Sequence, residues 1–461
     1  MYNEGNLFAA GILLLGGVFL LRFSKRVFGS YLAPPSIYAG VWFFSLSVFY
    51  LGVISYYALE WQTLMVFLFS ILTFSTGGLL SKKLIKRKNT NFQYLLKQLI
   101  NQDKRLRWTI YILFALGVLG SITYYLELHR LIGIESLWSD PRLVRFEESM
   151  GELRRVRWIG LIRSLLVPSF VLSIMYLGIK SMRHRKFMWV VVVVSFLFLI
   201  TSSGRTLVMS LALCSGLSVI YIAENIGEPI SFRKYGLPIL AGSLLLVAYF
   251  TATTSLLDKW VSYVYLTKVT SHLPDALMGL ANLTHYIAGG FPAFQNLINS
   301  SQEPNQSVSL TFGALSRIMH EIDPSQFGYP DYVQPFVFVP SPTNVYTYLD
   351  AFYLDFGWLG VAIFPFLTGF VTTALYLWMC RSPSIMKVYV VSLMGLCIFQ
   401  STGVNTFGNF QTWVWIAFPL GLLKLLALFL RKQPKYKFVH NQKFANYVRT
   451  GPLFRNTENR S

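Results

Sequence analysis

Arg205 stands in Thr201-Ser202-Ser203-Gly204-Arg205-Thr206, where one apolar run ends and the next begins. An ionisable side chain at the end of a membrane span is costly to desolvate, so it is a functional candidate by default. Gly204 permits a tight backbone. The hydroxyls of Ser202, Ser203 and Thr206 can bond exposed backbone or an anion. A guanidinium held this way suits phosphate, because its planar fork donates two bonds at once. The competing reading is an arginine that snorkels to the interface. Arg163 lies inside another apolar run and needs a partner, which a carboxylate such as Asp355 or a substrate phosphate would supply.

Two acids, Asp350 and Asp355, flank Tyr353 ahead of a third apolar run. Five residues apart in a helix, they do not share a face cleanly, so one can face a cavity while the other caps or pairs. A carboxylate there suits a general base acting on a hydroxyl. The alternative is an acid favoured by the helix dipole. His272, His285 and His320 are further candidate bases, with polar surface as the plainer role. His320 has Arg317, Glu321 and Asp323 around it. No HExxH, CxxC, P-loop or dinucleotide fingerprint occurs, and nothing calls for a metal, nucleotide or other cofactor.

The elements that position these residues follow from composition. The chain has 461 residues, 54% hydrophobic and only 13% charged, against ~25% charged in a soluble protein. The expected fold is an all-α polytopic membrane protein. Eleven apolar segments approach spanning length, near 6–21, 37–57, 62–80, 108–127, 158–178, 187–202, 206–223, 237–255, 357–379, 388–402 and 411–430. Gly5 to Leu21 reads as the first span and not as a cleaved signal, for no basic stretch precedes it. Cys214, Cys380 and Cys397 fall in or beside apolar runs without metal or disulfide spacing. The net charge of +20 does not point to nucleic acid, because the basic clusters abut spans, where orientation and anionic lipid explain them.

Charge sets the orientation. Lys82, Lys83, Lys86, Arg87, Lys88, Lys97, Lys104, Arg105 and Arg107 make the connection after the third span cytoplasmic. Alternation puts the other basic connections and the basic tail, 431–461, on the same side, with the N-terminus outside and the C-terminus inside. Residues 1–255 then hold eight spans and 346–430 three more. Between them, 256–345 is an acidic stretch facing outward. A loop of that length without evident secondary structure is rare unless functional. A second outside segment, 128–157, nearly balances its charges. Asp140-Pro141 starts a helix, and Leu143, Phe146, Met150 and Leu153 recur at helical spacing, so 139–157 reads as an amphipathic surface helix. It carries Arg142, Arg145, Arg154 and Arg155, which are either laced into ion pairs or bind an anionic headgroup.

Ser203-Gly204-Arg205-Thr206, the large outside loop, Thr343-Asn344-Val345-Tyr346-Thr347 and Tyr353-Leu354-Asp355-Phe356-Gly357-Trp358-Leu359-Gly360 occur in this order. With this topology the chain resembles the Wzy-type O-antigen and capsule polymerases of bacterial envelopes. Arg317 and Gly328, with ten residues between them, match a further pattern of such loops. The resemblance implies a glycosyltransferase of the inner membrane, active at its outer face in lipopolysaccharide or other polysaccharide biosynthesis. The donor is a glycan on undecaprenyl pyrophosphate, and the acceptor is a repeat unit on the same carrier. It implies pyrophosphate-binding roles for Arg205 and Arg163, assisted by one of Arg142, Arg145, Arg154 or Arg155. Asp350, Asp355 and His320 are candidate bases, and Arg317, Asn344 and Tyr346 are candidate substrate contacts in the loop. Tyr329, Tyr332, Phe336 and Phe338 either pack on sugars or form a small loop core. The implied partners are membrane lipid and a chain-length regulator protein. A glycan ligase shares this architecture, and a flippase is the rival without catalysis, although flippases usually carry inverted repeats and midplane charges.

Overall fold

Apolar residues over 20 or so positions form helices in a bilayer because every backbone polar group must be satisfied within the chain. The computed structural model describes residues 3, 5–85, 92–133, 154–179, 185–200, 205–225, 278–300, 309–326, 336–339 and 342–430, with isolated positions between 242 and 267. At 92–102, 131–132, 154–157, 205–206 and 278 only the backbone is described. The helices are α1 (Leu7–Phe28), α2 (Pro34–Tyr50), α3 (Trp61–Leu84), α4 (Phe92–Ile132), α5 (Arg154–Arg163), α6 (Leu166–Gly178), α7 (Arg185–Ile200) and α8 (Arg205–Asn225). They continue with α9 (Met278–Ala288), α10 (Gly290–Asn299), α11 (Gly313–Ile322), α12 (Leu349–Arg381), α13 (Ile385–Gln400) and α14 (Phe410–Phe429). A two-residue antiparallel ribbon pairs β1 (Val337–Phe338) with β2 (Pro342–Thr343).

Seven of these helical stretches are long and apolar enough to cross a membrane, so the chain is an all-α polytopic membrane protein. Many of the serines and threonines in the helices are satisfied locally. Ser121, Ser173, Ser218, Ser392, Thr368 and Thr372 each donate to the carbonyl four residues back. Cys214, Cys380 and Cys397 are buried and form no disulfide.

Helix α3 against α12 is a backbone-to-backbone contact. A Cβ at Gly77 would overlap the Phe366 carbonyl oxygen, and one at Gly369 would overlap that of Phe74. Small residues allow this approach, which in lipid replaces the missing hydrophobic drive between helices. Helix α12 also begins earlier than expected, at Leu349, and is broken at Gly357 (φ 61°, ψ −149°). That conformation suits glycine and separates the turns at 349–356 from the spanning part. The segment 158–178 is likewise interrupted, between α5 and α6 at Ser164-Leu165.

The expected loop at 256–345 is not structureless. It contains α9, α10, α11 and the ribbon, and it docks on one end of the bundle. Gln295 on α10 accepts from the Glu60 amide (2.6 Å) and donates to the Ala58 carbonyl (3.0 Å). Tyr57 N–H donates to Val339 O (3.1 Å), and Ile54 bridges to Leu266. The N-terminus is tied to the same end through Asn3 and Asn6, whose amides donate to Tyr56 O and Tyr50 O. The second expected span accordingly ends at Tyr50, and 51–60 forms the floor of this cap. Lys25, Arg26, Lys82, Lys83 and Arg381 lie in the last turns of α1, α3 and α12, at the other end. The eighth expected span (237–255) is described only at scattered positions. The segment 139–153 and the tail 431–461 lie outside the described residues.

Gly77→Leu should overpack the α3–α12 contact and destabilise the fold by about 1–3 kcal/mol. Gly11→Leu, in open space on α1, should leave stability unchanged. Thermal unfolding in detergent measures both.

Candidate functional site

The capped end gathers the start of α12, the ends of α7 and α13, and the cap helices. Tyr348 N–H donates to Ser401 O (2.8 Å), joining the segment before α12 to the turn after α13. Gln400 Nε2 donates to Ser210 Oγ (2.8 Å), which brings in the second turn of α8. Beneath lies an aromatic floor. Tyr38 Oη bonds Tyr348 Oη (2.8 Å) and Ser70 Oγ (2.9 Å), and Trp42 Nε1 donates to Ser401 Oγ (2.9 Å).

The two acids are treated differently. Asp355 is buried, and its carboxylate accepts from the amides of Thr311 (2.6 Å) and Leu310 (3.1 Å). Thr311 Oγ1 returns a bond to Ala351 O (3.3 Å). Asp355 therefore anchors the chain just ahead of α11. Asp350 is only 1% exposed; the Thr347 hydroxyl and its own amide are the donors beside its carboxylate, and neither reaches it in good hydrogen-bond geometry. The buried Thr347 Oγ1 is also unpaired. Most buried polar atoms find partners, so this pair marks a polar recess at the start of α12. Tyr346 borders it: burial first, then the Asp350 charge, push its phenol up to about 12. Asn344 is exposed in the connection between β2 and α12.

The arginines divide by role. Arg163 is buried and does not pair with Asp355. Its Nη2 donates to Phe198 O (2.8 Å) and Tyr125 Oη (3.0 Å), and the guanidinium lies over the Tyr124 and Tyr125 rings. A cation on a last-turn carbonyl stabilises a helix C-terminus. Arg163 thus clamps α7 two residues before it ends, ahead of the connection to Arg205. Arg205 opens α8; its side chain, those of Arg154 and Arg155, and all of Arg142, Arg145 and His272 lie outside the described residues. Arg317 on α11 stacks over Trp158 of α5 (5.3 Å) and Phe410 of α14 (5.1 Å). His320 is half-buried one turn further along. Asp323 is engaged by the Ser325 hydroxyl and the Ser325 and Gln326 amides. Phe336 and Phe338 are 65% and 67% exposed, so they are not a loop core. Gly328, Tyr329 and Tyr332 lie outside the described residues.

His285 is more deeply placed than an isolated loop histidine suggests. It shares a 3.0 Å hydrogen bond between Nδ1 and Tyr56 Oη, and Gly289 separates it closely from Thr343. Burial pushes its imidazole down to about 4. Its sequence signal was weak, because the contact with Tyr56 joins residues 229 positions apart. No metal-holding group of His, Cys, Asp and Glu occurs among the described residues.

Asp355→Ala should strand two buried amides, costing about 1–3 kcal/mol. Trypsin cleavage after Arg317 should then be faster than in the parent, followed in detergent by mass spectrometry. For His285, the unfolded chain, with its imidazole at 6.5, binds the proton that the fold excludes until about 4. Stability is complete above 6.5 and falls through that window as pH drops, by up to about 3 kcal/mol. His285→Gln should flatten the fall in unfolding temperature between pH 7 and 4.

Comparison with protein-family models, curated proteins and solved structures finds no match to this chain.

Proposed function

We propose that this protein is a polymerase of lipid-linked oligosaccharide repeat units, with eleven spans and its capped end at the outer face of the bacterial inner membrane. Support for the orientation is the gathering of basic last turns at the opposite end. The observation that carries the catalytic reading is the recess of Asp350 and Thr347, whose buried oxygens make no hydrogen bond of good geometry to each other or to the rest of the fold. A buried carboxylate without a partner fits a group that receives a proton from a substrate hydroxyl.

In this reading the acceptor's terminal hydroxyl attacks the anomeric carbon of the donor glycan. The new glycosidic C–O bond forms as the bond to pyrophosphate breaks, and undecaprenyl pyrophosphate leaves with the electron pair. Asp350 takes the hydroxyl proton. Asp355, already committed to two amides, positions the cap; His320 is the second candidate base. Arg205, at the opening of α8, stabilises the departing pyrophosphate. Arg163 holds the end of α7 so that Arg205 is correctly placed. Arg317, Asn344 and Tyr346 contact the glycan, and a chain-length regulator docks on the assembly.

Deleting the gene should remove the surface-glycan ladder while a single-repeat band persists; loss of both would mark a ligase, and internal accumulation of lipid-linked units a flippase. Arg205→Ala and Asp350→Asn should each abolish polymer while the protein still accumulates in the membrane. Normal ladders from either variant would remove that residue from the mechanism.

A further inference from the structure

Helix α11 is amphipathic in the opposite sense to a helix folded onto a protein in water. Gly313 and Ser316 are buried, and Arg317 is packed between two aromatic rings of the bundle. Leu315, Ile318 and Ile322 share the other edge at helical spacing and are 54%, 45% and 78% exposed. A water-facing helix turns its apolar stripe toward the core; here the stripe is turned away from it.

The neighbouring surface says what covers this edge. Arg317 rests on Trp158 and Phe410, in the first turns of the described α5 side chains and of α14. At the other end, Phe312 meets Phe364 of α12 edge-on. Around these contacts Trp158, Ile162, Trp358, Leu359 and Trp413 are exposed, on the candidate membrane spans themselves. Tryptophans at span ends mark the membrane–water boundary. Arg317 and Phe312 join α11 to the three helices that carry these exposed side chains, while Glu321 and Asp323 fall off the stripe.

We propose that α11 is an interfacial helix whose Leu315, Ile318 and Ile322 side chains insert among the acyl chains of the bilayer. The insertion holds the cap at the membrane surface from one side, as Asp355 holds it from the other. It does not depend on the catalytic reading.

The test places a nitroxide at single cysteines in the full chain (L315C, I318C, I322C and, as solvent reference, S325C), with Cys214, Cys380 and Cys397 replaced by alanine. The protein is reconstituted in phosphatidylethanolamine–phosphatidylglycerol vesicles, and collisions with oxygen and with a water-soluble nickel chelate are compared. The three stripe positions should favour oxygen over nickel several-fold, and S325C should show the reverse. Nickel reaching the stripe as readily as position 325 overturns the proposal. Neither reagent reaching it also overturns it, since protein would then be the cover. Because the native cysteines are buried, the same labels on the unreplaced chain serve if the alanine background fails to fold.

Discussion

The close backbone contact between α3 and α12 is the constraint on which the rest of the capped end depends. In lipid, helices gain little by hiding apolar surface from one another, so packing must come from dispersion and close approach. Gly77 and Gly369 remove the side chains that would keep the backbones apart. With the spanning part of α12 held in this way, the break at Gly357 redirects the preceding turns, which carry both aspartates, over the end of the bundle. A straight helix would continue them along the span.

From that geometry the two acids acquire opposite environments. Asp355 meets the amides of Leu310 and Thr311 and becomes a fastening for the cap. Asp350, one and a half turns earlier, has only the Thr347 hydroxyl and its own amide near it, neither in good hydrogen-bond geometry, in a buried recess. Stability alone would favour pairing or removing such a group, since burying an unpaired carboxylate is costly. Retaining it is the pattern expected where strain and unsatisfied polarity serve chemistry.

The cap is fastened at several independent points. Gln295 grips the 51–60 floor, Tyr348 joins the turn after α13, Arg317 wedges between α5 and α14, and Arg163 secures the end of α7. Arginine serves well at such positions, because one guanidinium can donate to a carbonyl and lie flat on aromatic rings together. Among the described side chains, Arg163 and Arg317 hold the frame at this end, and the backbone of Arg205 opens α8.

The sequence by itself determined the membrane class, since apolar runs of spanning length have no stable alternative to helix in a bilayer. Most described helices coincide with the apolar runs, and the five-residue spacing of Asp350 and Asp355 already implied different surroundings. Only the tertiary structure decided which acid is spent and which is left unpaired, because the donors at Leu310 and Thr311 lie forty-odd residues away and no local pattern announces them. It also decided that Arg163 meets Phe198 and Tyr125 and not Asp355, and that His285 is bonded to Tyr56. The helices within 256–345 escaped the sequence reading for a related reason. They carry no spanning run, and the stripe of Leu315, Ile318 and Ile322 in α11, though written at helical spacing, does not say which way it faces; contacts distant in the chain supply what periodicity cannot show.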